Sequence, residues 1–362
     1  MIARMPARPL FVLVLAGGSG ERFWPLSRKS RPKQLLSLFS KETLLEATLR
    51  RLDGLVPPTQ TLILTNAEQE AAVRALCPQL PRENIVAEPA KRDTAAAIAL
   101  GAGWISMRAP DATMIVLPAD HLIQDTDGFQ RTLRVAVAAA EGTGELVTIG
   151  IKPAWACPGF GYIELGGRAA LAAKPDGPDV FEVLRFREKP SAELAETFLK
   201  QGNFRWNAGM FIWTVRAILS AFNRHVPALG EFIAQLHRST ALEPILRDVF
   251  PKLPKISIDY AVLEKTRRVL MVESGFDWDD IGSWTAIAKY LASDASGNVG
   301  NAELAAVDSR QNLVYSTEKK LIALLGVQDL IVVQTGDALL ICNRHEAERI
   351  KNLVAQVPAA LQ

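Results

Sequence analysis

The sequence predicts an α/β fold: a doubly wound sheet over residues 1–291, followed by a small β-rich domain over residues 292–362. Three observations predict it. Short, partly β-branched apolar runs alternate with longer stretches rich in Ala, Leu, Glu and Arg. A glycine-rich turn directly follows the first apolar run. Beyond Leu291 the helical stretches give way to short apolar runs spaced by turns.

Taken in order, Phe11–Leu15, Thr61–Thr65 and Met114–Leu117 read as buried strands, and Lys41–Leu52, Ala67–Leu76 and Thr94–Met107 as the helices between them. Strands separated by helices favour parallel pairing, and such sheets bind ligands beyond the carboxyl ends of their strands. Glu145–Gly150, Val180–Phe186 and Phe211–Thr214 continue the strand set, the last entered from Asn207-Ala208-Gly209. Helix is expected over Val215–His237, interrupted at Pro227 and Gly230, and again over Ala261–Thr266. Ser293–Gly300 reads as a linker. The runs Ala305–Val307, Leu313–Tyr315, Leu321–Leu325, Leu330–Val333 and Ala338–Ile341 form the appendage, closed by a helix over Glu346–Val357. No internal repeat stands out.

The chain has 362 residues, 49% hydrophobic and 22% charged, with a formal net charge of +2, which is ordinary globular composition. There is no basic stripe of the kind a nucleic-acid partner needs, and no apolar run of membrane-spanning length. Cys77, Cys157 and Cys342 lie far apart without CxxC spacing, as expected of a reducing, cytoplasmic setting and not of a zinc site. Arg4 and Arg8 before Leu10–Ala16 have the order of a signal peptide. That run is at the lower limit for a signal, and cleavage would discard the strand that presents the next loop, so it reads as a first buried strand. His121, His225, His237 and His345 share no metal spacing and read as surface or supporting residues. Trp206, Trp213, Trp278 and Trp284 read as core or pocket wall.

The loop after that strand, Ala16-Gly17-Gly18-Ser19-Gly20, has the parts of a polyphosphate cradle. Residues without Cβ let backbone amides approach anionic oxygens. Arg22 can fork onto phosphate, and Lys33 adds a compact charge. A P-loop is excluded because Glu21-Arg22 stand where Lys-Ser/Thr would follow, and a Rossmann fingerprint because Phe23 replaces its last glycine.

Leu15-Ala16-Gly17-Gly18-Ser19-Gly20-Glu21-Arg22-Phe23-Trp24-Pro25-Leu26-Ser27 with Pro32-Lys33-Gln34 resembles the start of a sugar-1-phosphate nucleotidyltransferase, in the mannose-1-phosphate guanylyltransferase branch. The resemblance continues through Glu88-Pro89-Ala90-Lys91-Arg92-Asp93-Thr94-Ala95, Leu117-Pro118-Ala119-Asp120-His121, Gly161-Tyr162-Ile163-Glu164, Arg187-Glu188-Lys189-Pro190, Asn207-Ala208-Gly209-Met210-Phe211 and Asp280-Ile281-Gly282-Ser283-Trp284. It implies a Rossmann-like mixed sheet of the glycosyltransferase-A-like kind. It also allows a left-handed β-helix as one form of the C-terminal domain.

By the same resemblance, Arg22, Lys33, Asp120 and Asp280 are catalytic, with Mg²⁺ on the two aspartates. Mg²⁺ commonly binds through one or two carboxylates plus substrate phosphates. The motif selects Asp280, which spacing alone does not distinguish from Asp277 and Asp279. Ala16, Gly17, Gly18, Ser19, Gly20, Glu88, Arg92 and Thr94 are expected at the nucleotide. A carboxylate at Glu88 can accept from both the ring N–H and the exocyclic amine of guanine, whereas uracil or thymine suits an amide better. Arg92 serves either the phosphates or a structural ion pair. Asp93 stands where Asn is expected, and its role stays open. Gly161, Tyr162, Glu188, Lys189, Asn207 and Ala208 are expected at the sugar phosphate.

The resemblance implies transfer of GMP from GTP to α-D-mannose 1-phosphate, giving GDP-mannose and pyrophosphate. The sugar phosphate, with a second pKa of about 6, is mostly dianionic at neutral pH and needs no general base. Alternatives are another sugar 1-phosphate (heptose or glucose, with GTP or dTTP) and a catalytically silent nucleotide-sugar-binding regulatory subunit. A second, isomerase activity would call for a histidine-bearing cupin-like domain, and only His345 lies near the C-terminus, so one activity is expected. A homodimer is expected from the resemblance, with neither nucleic acid nor membrane as partner.

Overall fold

The computed structural model describes residues 8–169, 177–239 and 241–362. Arg4, part of the signal-peptide comparison, lies outside them. No described helix is long and apolar enough to cross a membrane.

Nine strands form one sheet: β1 (Leu10–Leu15), β2 (Thr61–Asn66), β3 (Ile85–Glu88), β4 (Thr113–Pro118), β5 (Leu146–Ile151), β6 (Gly161–Arg168), β7 (Val180–Glu188), β8 (Phe204–Thr214) and β9 (Val269–Glu273). Their order is β3-β2-β1-β4-β8-β5-β9-β7-β6. Pairing is parallel from β3 to β4, and β8 then runs antiparallel to both β4 and β5. The sheet is therefore mixed. The apolar run Leu10–Leu15 is its strand β1, flanked by β2 and β4.

Helices cover both faces. Alternate β1 residues Phe11 and Leu13 enter one core, while Val12 and Val14 enter the other. That two-sided burial is why the strand reads as continuous apolar sequence. Helices α1 (Leu44–Arg50), α2 (Glu70–Leu76), α3 (Asp93–Arg108), α4 (Thr126–Thr143), α5 (Ala192–Gln201), α6 (Val215–His225) and α7 (Pro227–Arg238) supply the layers. α3, α6 and α7 pack on the Phe11 side, and α1, α2, α4 and α5 on the Val12 side.

Several boundaries differ from expectation for local reasons. α1 begins after Thr43, not at Lys41, because Thr43 and Glu46 form a reciprocal capping box. Pro227 opens α7, where its missing N–H costs nothing. Gly230 lies inside α7, where a Cβ would strike Asn223 of α6. Asn207-Ala208-Gly209 lies within β8 instead of preceding it. In place of a continuous helix over 261–266 there is a turn of helix at Ile258–Ala261 and a 3-10 turn at Leu263–Lys265.

The C-terminal strands are β10 (Ala292–Ser293), β11 (Val299–Gly300), β12 (Leu304–Val307), β13 (Leu313–Ser316), β14 (Ile322–Leu325), β15 (Leu330–Gln334) and β16 (Leu339–Asn343). Ser293–Gly300, expected as a linker, contributes β11 and part of β10. β13 pairs with β15, and β12 with β14, in parallel at an offset of 18 residues in both cases. That offset is an internal repeat with too little sequence identity to be seen. Buried Asn298 and Asn312 stack inside the coil, the Asn312 side-chain amide donating to Asn298 Oδ1 at 2.9 Å. The closing segment is a 3-10 turn, Arg344–Arg349, then a short helix, Ile350–Val354.

The coil shares a core with the first loop. Phe23, Trp24, Leu36, Ile281 and Trp284 cluster with Leu313, Tyr315, Ile331, Leu340, Ile350 and Val354. Trp24 Nε1 donates to the Leu361 carbonyl at 2.8 Å, and Trp284 Nε1 to the Trp24 carbonyl at 3.2 Å.

Candidate active site

β1 and β4 are adjacent and parallel, with Leu15 opposite Pro118, and the chain turns away from them in opposite directions along the sheet. Such a switch point leaves a crevice at the strand ends. The loop Ala16–Gly20 and the turn Ala119–His121 emerge there side by side. Two glutamines hold the loop from behind. Gln34 Nε2 donates to the carbonyls of Ala16 (2.8 Å) and Gly18 (3.2 Å), and Gln69 Nε2 to that of Gly18 (3.2 Å). The N–H groups of Gly17, Gly18, Ser19 and Gly20 donate to no group among the described residues. Gly20 has φ +60°, and a Cβ there would come within 2.8 Å of Lys33 Cβ, so only glycine fits.

Beside the loop lies a cavity of about 310 Å³ bordered by Ser19, Gly20, Arg22, Lys33, Asp120, His121 and Asp280. Lys33 is buried, its ammonium 2.8 Å from Asp120 Oδ2 and donating to the Asp280 carbonyl. Arg22 donates to the Gly282 carbonyl at 2.9 Å and pairs with Glu348 at 3.1 Å. Burial pushes the Asp280 carboxyl up to about 6, Asp279 and Asp120 adding to the rise and Lys33 opposing it. Burial acts on Asp120 in the same sense, but Lys33 and His121 outweigh it and leave that carboxyl below its ordinary value. Burial pulls His121 down to about 4, so its ring is neutral, and Nδ1 accepts from Trp278 Nε1 at 3.1 Å.

The neighbouring aspartates are already engaged. Asp279 accepts from the Ile281 N–H, Lys289 and Tyr290, and Asp277 from the N–H groups of Gln124 and Asp125. Ile281 sits at φ +46°, a strained setting for a β-branched residue. Its hydrogen bond to Asp279 holds the turn that carries Asp280. The Asp280 carboxylate itself has no side-chain partner among the described residues. The Asp120 and Asp280 carboxylates are hard-oxygen donors of the kind a divalent cation takes. No group of three or more His, Cys, Asp or Glu able to hold a metal occurs among the described residues, so the remaining donors would be substrate phosphates and water.

A second cavity, of about 490 Å³, continues from Ser19 and Asp120 to Glu88, Arg92 and Thr94 on one side and to Gly209 and Asp259 on the other. Glu88 faces Gly17, whose added Cβ would lie 3.1 Å from Glu88 Oε2. With no cation or hydrogen-bond partner among the described residues, its carboxyl is pushed up by burial to about 8. Arg92 makes no ion pair among the described residues, and its buried Nε lacks a partner. Asp93 has φ +65°, a conformation that Asn and Asp tolerate best, and accepts from the Thr94 N–H at 2.7 Å. The Thr94 hydroxyl accepts from the Ile258 N–H at 2.9 Å.

On the far side Gly161 lies against Glu188, and Asn207 donates to Asp259 Oδ1 at 2.7 Å while accepting from Thr148 at 3.0 Å. Lys189 stands 3.5 Å from Glu188, at φ +46°. Burial raises Asp259 to about 6, with Glu188 adding to the rise.

Comparison with known proteins matches the nucleotidyl transferase family over residues 11–297. The chain belongs to this family. Residues 302–357 match a MannoseP isomerase/GMP-like beta-helix domain. A mannose-1-phosphate guanylyltransferase from Klebsiella pneumoniae is 37% identical over 95% of this nucleotidyl transferase and 73% of its own length. One from Escherichia coli K12 is 37% identical over 98% and 75%. A crystal structure described as mannose-1-phosphate geranyltransferase from Thermus thermophilus superposes with a TM-score of 0.84 at 36% identity, covering 96% of this chain and 98% of that one.

The structure limits what three of the expected residues of the nucleotidyl transferase can offer a ligand. Ala16 cannot offer its amide to a phosphate, because that N–H donates to the Leu64 carbonyl and its own carbonyl is held by Gln34 and Thr65. Tyr162 is fully buried, packs on Phe198 and accepts from the Cys157 N–H, so its ring belongs to the core. Ala208 is buried in the same core, while Asn207 and Gly209 are only half-buried. Alternation along β6 and β8 sends Tyr162 and Ala208 to the face opposite Gly161, Asn207 and Gly209. Gln69 and Asp259 join the site without having been anticipated. Both are ordinary polar residues in sequence and are brought in only by long-range folding. His121, expected at the surface or in support, borders the phosphate-side cavity.

Proposed function

We propose that this nucleotidyl transferase moves GMP from GTP to α-D-mannose 1-phosphate, releasing pyrophosphate and forming GDP-mannose. The observation that carries the choice of base is Glu88: a carboxyl at the wall of the larger of these two cavities with no partner among the described residues, matched to the paired donors on guanine. The names of the relatives support the sugar. Lys189 takes the sugar phosphate, and Glu188 and Asn207 its hydroxyls. The phosphate dianion attacks the α-phosphorus in line. The new O–P bond forms as the bond to the β-phosphate oxygen breaks, and pyrophosphate departs. The free amides of Gly17–Gly20, with Arg22 and Lys33, hold the triphosphate and neutralise charge developing on the leaving group. Mg²⁺, held by Asp120 and Asp280, would add charge neutralisation and alignment of the reacting phosphates. Pyrophosphate release over a grid of nucleoside triphosphates and sugar 1-phosphates tests the reading, and a clear preference for another pair overturns it.

The raised Glu88 carboxyl gives a pH prediction. In the ligand-free protein it is largely protonated at neutral pH. Guanine donors favour the ionised form, so GTP binding expels a proton, and KM for GTP should fall as pH rises towards 8 and level off above it. Because the folded state binds the proton more tightly than the unfolded chain, the same group makes the ligand-free protein less stable over that rise. Glu88→Gln should flatten the pH dependence and erode preference for GTP over UTP by about tenfold or more. Unchanged selectivity would remove Glu88 from base recognition.

A further inference from the structure

The phosphate-side cavity has one wall from the other end of the chain. Lys351, in the short helix Ile350–Val354 of the C-terminal coil, borders the same cavity as Ser19, Gly20, Arg22, Lys33, Asp120 and Asp280. Its placement is fixed although its side chain is exposed. The preceding Ile350 is buried against the core beneath the loop, where Phe23 and Trp24 also lie. Glu348, three residues earlier, ties the same segment to Arg22.

The charge balance explains why a cation there matters. Lys33 is already committed to Asp120 and to the Asp280 carbonyl, and Arg22 to Glu348 and the Gly282 carbonyl. The ammonium of Lys351 forms no ion pair among the described residues. A triphosphate, and the pyrophosphate it leaves behind, carries more negative charge than the two committed cations can match.

We propose that Lys351 binds the β- and γ-phosphates of the nucleoside triphosphate, and therefore the pyrophosphate product. The C-terminal coil then supplies a substrate-binding residue to the catalytic site. The assignment rests on the triphosphate reading of this cavity given above.

The test is steady-state kinetics in both directions on the full chain. Lys351→Ala should raise KM for pyrophosphate in the reverse reaction, and KM for GTP in the forward one, by about tenfold, leaving KM for the nucleotide sugar and the sugar 1-phosphate within about twofold. Lys351→Arg should restore most of the loss. Lys320→Ala, which removes an exposed lysine elsewhere on the coil, should change nothing. A correctly melting Lys351→Ala protein with an unchanged KM for pyrophosphate overturns the proposal. If the wild type turns over no triphosphate and sugar phosphate pair, the functional reading fails and not this assignment. Calorimetric titration of inorganic pyrophosphate with Mg²⁺ into wild type and Lys351→Ala then decides it: weaker binding by the variant supports Lys351, and equal binding sinks it.

Discussion

Lys33→Ala is expected to lower kcat by about 10²- to 10³-fold, the usual consequence of removing one preorganised donor from developing negative charge. The structure adds a second effect. Lys33 is buried and is the cation between the Asp120 carboxylate and the Asp280 carbonyl. Its loss leaves Asp120 facing Asp280 without compensation. Breaking a buried pair costs about 3–5 kcal/mol, and partial exposure of Asp120 brings this nearer to about 1–2 kcal/mol. The Asp120 carboxyl lies below its ordinary value, so its stabilisation is present above the usual aspartate range and is lost as pH falls through the lowered value. The melting-temperature deficit of Lys33→Ala should therefore shrink in acid, once Asp120 is protonated. Near-normal turnover would remove Lys33 from the reaction, and a deficit independent of pH would remove Asp120 as its partner.

Asp280→Asn is the second large effect. The substitution keeps shape and removes one negative charge. It should cut turnover by about 10²-fold or more and move half-maximal activation by Mg²⁺ to higher concentration. Asp277→Asn should leave the metal titration alone, because that carboxylate serves two backbone N–H groups instead of the cavity. An unchanged Mg²⁺ titration in Asp280→Asn would place the metal elsewhere.

The contrast among those aspartates marks where sequence reasoning stops. Spacing treats Asp277, Asp279 and Asp280 alike, and only the ordered motif picks out Asp280. The structure supplies the physical reason, since two of the three are used up by local partners. The opening strand and loop were legible because their signals are local: a run buried on both faces, then residues without Cβ. The Tyr162 and Ala208 side chains turn into the core, which short motifs do not show because it depends on the full extent of β6 and β8. Alternation can be counted only when the whole strand is in view. Gln34 announced itself through its motif, but Gln69 and Asp259 gave no local sign. The 18-residue offset of the coil is kept by parallel strand pairing, and the stacked Asn298 and Asn312 belong to the 14-residue step between β11 and β13; neither demands matching letters.

The shared cluster beneath the first loop has a consequence for how such a chain can be divided or recombined. Trp24, two residues from Arg22, touches the C-terminal coil through its ring nitrogen and its packing, and Trp284, four residues beyond Asp280, rests on Tyr315. The coil cannot behave as a detachable module. A chimera taking residues 292–362 from a relative would inherit an ill-fitting seat under both the arginine and the metal-side aspartate, unless Phe23, Trp24, Ile281 and Trp284 came with it. Substitutions along this seam should be inherited as a set, on both sides at once.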